Sequence, residues 1–74
     1  MTRTRRMTAV EVERILQQYG FVFVSQRGSH RKWRQLDLSL QVIVPFHKGR
    51  DLPIGTTRNI MINANIPDIE WKTD

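Results

Sequence analysis

Seventy-four residues with twelve Lys and Arg against seven Asp and Glu carry a net charge of +5 and a sequence pI near 10.8. That length allows one domain with a modest core, and the charge favours a polyanionic partner, RNA or DNA, with an acidic protein as the bland alternative. The absence of cysteine excludes disulfide staples, thiolate zinc sites and a cysteine nucleophile, and it suits a reducing cytoplasm.

Residues 1–7 read as a basic N-terminal arm, flexible over 1–6, ahead of a single domain at 8–74. No apolar stretch follows the arm as a secretory signal requires. Nor does any apolar run approach the ~20 residues of a membrane span, so the chain reads as soluble. Thr8 and Glu11 have capping-box spacing, and Met7 and Val12 stand where a hydrophobic staple would close. Val12, Ile15, Leu16 and Tyr19 form one apolar stripe, and Gly20 stands where a left-handed residue stops a helix. These signals predict a helix over 9–19.

The β-branched and aromatic run from Phe21 predicts a strand over 21–26, ending at a turn at Arg27 and Gly28. Ser29–Gln35 returns as the second strand of a hairpin, with His30, Lys32 and Arg34 on one face and Arg31, Trp33 and Gln35 on the other. A bulge at that turn would change the face His30 shares. Leu36–Ser39 turns the chain into a third strand, Leu40–Val44, which Pro45 ends. The segment 46–55 is a loop. Thr56 caps a weaker helix over 57–64, and Asn65 supplies its left-handed end. The tail from Ile66 to Trp71 brings apolar side chains back to the core. The expected fold is α+β, in the order α-β-β-β-α. A three-stranded antiparallel sheet carries both helices on one face and leaves the other to the basic residues.

The chemistry these residues can support is narrow. His30 and His47 lie far apart in the chain and make a poor metal site; no metal or cofactor is expected. Ser29 and His30 point to opposite faces of a strand, which makes Ser29 a poor nucleophile for that base. There remains a histidine among Arg27, Arg31, Lys32 and Arg34. Such a group can move the proton of an RNA 2′-hydroxyl while cations steady the phosphoryl charge. The bland reading is a polar surface histidine on a solvated face. Trp33 and Met61 fit the core better than a binding surface.

Gly20-Phe21, Gly28-Ser29-His30, Val44-Pro45-Phe46-His47 and Gly55-Thr56 with Ile60 and Ala64 together resemble the HicA family of toxin–antitoxin mRNA interferases over about residues 10–66. The resemblance implies a fold like a double-stranded-RNA-binding domain, with metal-independent endoribonuclease activity on mRNA and His30 as the catalytic residue. It also implies a HicB-type antitoxin that covers the site. The free toxin is then expected as a monomer in the cytoplasm, and the neutralised one as a hetero-oligomer. Arg27, Gly28, Ser29, Arg31, Lys32, Arg34, His47, Lys48 and Arg50 are the candidate RNA-binding residues, with His47 secondary. Thr57 departs from the family pattern of a large aliphatic, and Asn65 from its usual glycine. The rivals are a non-catalytic RNA-binding module of the same fold and a regulatory subunit that recruits an acidic partner.

Overall fold

The computed structural model describes residues 2–73. In chain order they form β1 (Arg3–Thr4), α1 (Ala9–Gln18), β2 (Val22–Arg27), β3 (His30–Gln35), β4 (Leu40–Pro45), α2 (Ile54–Asn63), α3 (Asp68–Trp71) and β5 (Lys72–Thr73). The central sheet is an antiparallel meander in the order β2-β3-β4, and both long helices pack on β4 from one face. This is the expected α-β-β-β-α domain, like a double-stranded-RNA-binding domain, with a small β1–β5 sheet added where the termini meet.

Local chemistry accounts for the helix ends. The Glu11 amide donates to the Thr8 hydroxyl, and the Thr8 amide donates to the Glu11 carboxylate at 2.9 Å, closing the capping box. The backbone hydrogen bond from Thr8 holds the Glu11 carboxyl below its ordinary value of 4.5. At the other end Gly20 takes φ +85°. Its amide bonds to the Gln17 carbonyl and that of Phe21 to the Leu16 carbonyl, the double closure of a Schellman motif. α2 ends in the same way. Asn65 at φ +57° substitutes for glycine, with its amide on Ile62 and that of Ile66 on Met61.

The start of α2 differs from expectation. The helix begins at Ile54 after Pro53, so Thr56 lies inside its first turn and caps nothing. Proline has no amide to leave unsatisfied and a φ already near helical values, so it can open a helix without a side-chain cap. The N-terminal arm is also held rather than free. Arg3 and Thr4 pair with Thr73 and Lys72, and the Arg5 amide donates to the Trp71 carbonyl at 2.9 Å. The signal missed was partly compositional, because a two-residue strand has no periodicity to read.

The core is formed by Met7, Val12, Leu16, Phe21, Trp33, Val42, Val44, Met61 and Trp71 with their smaller neighbours. The Tyr19 hydroxyl donates to Glu70 at 2.6 Å and so ties the end of α1 to α3; that hydrogen bond raises the tyrosine's pKa. Inside this shell sits one acid. Glu13 is 7% exposed, and its Oε2 accepts from both Arg31 Nε and Trp33 Nε1, each at 2.6 Å. The Arg31 guanidinium also lies 4.6 Å from the ring centroid of Phe23 and 4.9 Å from that of Phe46. Phe23 meets Trp33 edge-on at 5.8 Å.

Glu13→Ala strands a largely desolvated guanidinium and a buried indole N–H, so urea denaturation should show a loss of about 3 kcal/mol. A double-mutant cycle with Arg31→Ala should return a coupling within ~0.5–3 kcal/mol, and additive losses would contradict the contact. Thr57 is fully buried, and its Oγ1 has no hydrogen-bond partner among the described residues. Thr57→Val should therefore stabilise the protein by about 1 kcal/mol, read as a higher urea midpoint at unchanged slope.

Candidate nucleic-acid interface

The β2–β3 hairpin positions the histidine. Arg27 pairs with His30, which leaves Gly28 and Ser29 as a two-residue turn with Gly28 at φ +59°. Glycine at the first central position is the requirement of a type II′ turn, the connection that matches strand twist. The turn sits one residue later than the sequence suggested, with β2 running to Arg27. The bulge lies elsewhere. It falls between Phe23 and Ser25, where Val24 is unpaired, so the register from Ser25 to His30 is uninterrupted.

That register decides what shares a face with His30. Residues directly opposite on neighbouring strands point the same way. His30 lies between Arg27 and Pro45, Lys32 between Ser25 and Ile43, and Arg34 between Val22 and Gln41. Arg27, His30, Lys32 and Arg34 therefore stand on the face away from the helices, and all but the partly covered Lys32 are exposed. Arg31 does not join them. It lies on the helix face, engaged by Glu13, Gln26 and two aromatic rings, so its expected place in the basic surface is corrected to a structural one.

Two grooves meet at His30. One is formed by Ser25, Gln26, Arg27, Lys32 and Ile43 with the histidine and carries the cations. The other follows the outer edge of β4 against α2, with a volume of about 420 Å³, and includes Gln41, Thr56, Asn59 and Asn63. Neither groove is lined by an Asp or Glu. Sequence reasoning missed the second groove altogether. Its one signal was the pair Asn59 and Asn63, poor helix formers one turn apart in a helix.

His47, Lys48 and Arg50 are exposed on the loop after β4. His47 and Arg50 line a separate depression with Asp51 and Pro53, which meets the His30 groove at Pro45 and Thr56. The loop is tied to the residues just ahead of α1 by the Leu52 amide, which donates to the Met7 carbonyl at 2.8 Å, and by a bridge between Thr8 and Asp51. Among the described residues no three His, Asp or Glu side chains cluster to hold a metal. No helix among them is long and apolar enough to cross a membrane.

Fold and face together define a small α+β domain, folded like a double-stranded-RNA-binding domain, with a histidine set in an open cationic sheet face. The family model described as "HicA toxin of bacterial toxin-antitoxin" matches residues 9–66, from the start of α1 to just past α2. The chain belongs to that family and is the toxin of a toxin–antitoxin system. The β1–β5 sheet and α3 lie outside the matched span. A search of curated proteins found no match to the chain.

An ideal Cβ at Gly28 meets nothing within 4 Å, so a side chain there is opposed by backbone conformation alone. Gly28→Ala should cost about 1–2 kcal/mol in thermal or urea unfolding. A negligible loss would show that the turn does not need glycine.

Proposed function

We propose that this toxin is a metal-independent endoribonuclease that cleaves mRNA, with His30 as the proton-transfer residue. One observation carries the reading. His30 is the titratable group of an exposed sheet face on which Arg27, Lys32 and Arg34 are the charged neighbours, with no carboxylate lining either adjoining groove. Cations at that spacing along a sheet suit successive backbone phosphates. RNA brings its own nucleophile. Removal of the 2′-hydroxyl proton lets that oxygen attack the adjacent phosphorus; the bond to the 5′-oxygen breaks, and that oxygen takes up a proton. The products are a cyclic phosphate and a 5′-hydroxyl, and no metal is needed.

His30 serves as the acid or the base of this exchange, and Lys32 or Arg27 offsets charge growing on the phosphoryl oxygens. Gly28 and Ser29 form the turn that brings backbone close to the RNA. His47, Lys48 and Arg50 extend the surface as secondary contacts. The partner of the system is a HicB-type antitoxin that covers this face; the free toxin is monomeric, acts in the cytoplasm, and becomes part of a hetero-oligomer when neutralised.

The test is incubation of purified protein with RNA in EDTA. Wild type should release 5′-hydroxyl fragments, and His30→Ala should lower the rate ~10²–10⁴-fold while its circular dichroism is unchanged. Cleavage by the alanine variant at the parental rate overturns the role of His30. Binding without cleavage by wild type favours the non-catalytic RNA-binding module.

A further inference from the structure

The groove between β4 and α2 differs in chemistry from the cationic one beside it. Its lining contains no Lys, Arg, Asp or Glu. Val42, Ile43, Pro45 and Ile60 supply apolar surface, while Gln41, Asn59, Asn63 and Thr56 supply amides and a hydroxyl. None of these three amide side chains has a hydrogen-bond partner among the described residues. Asn59 and Asn63 are exposed, one turn apart, inside a helix whose backbone asparagine disfavours. They cap nothing: the helix is closed at one end by Pro53 and at the other by Ala64 and Asn65. Free amides on an apolar floor suit a flat, uncharged ligand with donors and acceptors on its rim. They do not suit a phosphate.

We infer that this groove is a nucleobase subsite, in which Asn59 and Asn63, with Gln41 opposite, read the edge of an unpaired base adjoining the bond that is cut. The inference rests on the nuclease reading above and adds to it the residues that choose where the RNA is cleaved. His30 lines both grooves, which is the position a scissile phosphate requires. The backbone then follows the column of Arg27, Lys32 and Arg34, and the base turns over Pro45 into the neutral groove. Asparagine and glutamine each present a donor and an acceptor, so a base that matches both is favoured over one that matches neither. Unpaired bases on apolar surface are the usual object of sequence-selective RNA recognition. The groove volume of about 420 Å³ lies within the ~300–1,000 Å³ typical of ligand sites.

The substitutions leave the proposed catalytic and phosphate-binding residues intact. Wild type and the Asn59→Ala/Asn63→Ala variant are compared on a randomised single-stranded RNA pool in EDTA, with cut sites read by sequencing fragment ends. Alanine is the better helix former, so the fold should be retained. Wild type should show a base preference at one position beside the cut, and the variant should flatten it at least threefold while its affinity keeps the parental salt dependence. A preference unchanged in the variant, or absent among the cuts that wild type makes, overturns the subsite. A second measurement separates this from failure of the nuclease reading. A short 2′-O-methyl RNA, which lacks the attacking hydroxyl, is titrated into ¹⁵N-labelled full-length protein. Shifts of the Asn59 and Asn63 side-chain amides support the subsite even if wild type cuts nothing, and unmoved amides overturn it even if cleavage is seen.

Discussion

The Glu13 carboxylate is the contact on which the arrangement of this small domain turns. It sits on the buried side of α1 and accepts from Arg31 and Trp33, which flank Lys32 on β3. One acid thus fixes the helix to the sheet and the register of β3 at once. It also neutralises a cation that would otherwise sit desolvated among aromatic rings. A two-residue slip in β3 would break both bonds, and a one-residue slip would turn Lys32 and Arg34 into the core.

From that constraint comes the separation of the two sheet faces. With Arg31 and Trp33 committed inward, the alternation of the strand sends His30, Lys32 and Arg34 outward. The hairpin pairing adds Arg27 to the same side. The open face carries the cations and the titratable group, and the helix face carries the core. The same chain belongs to a toxin–antitoxin family, over a span that runs from α1 through α2 and includes all three strands of this sheet.

The sheet is unevenly covered. Both helices lie toward β4, so all six residues of β2 remain exposed although Val22, Phe23 and Val24 are apolar. The placement of α1 and α2 over β4 completes the core around Val42, Val44 and Met61. The same placement sets α2 beside the edge of β4 and so forms the neutral groove.

Much of the fold was legible in the sequence, because its signals are short-ranged. Thr8 and Glu11 close a cap three residues apart; Gly20 and Asn65 end helices within a turn; the alternation from His30 to Gln35 assigns faces two residues at a time. Thr56 misled as a cap, because Pro53 can open a helix without a side-chain cap. The site was half legible. The histidine and its cations lie within one hairpin, but the loss of Arg31 to Glu13 is settled 18 residues away, and the groove of Asn59 and Asn63 is joined to His30 only when α2 docks on β4. The sequence by itself determined the central α-β-β-β-α elements and which residues could carry charge to an anion. Tertiary structure alone decided which of those cations stand beside His30 and what lies on its other side, because partners distant in the chain meet only through strand pairing and helix docking.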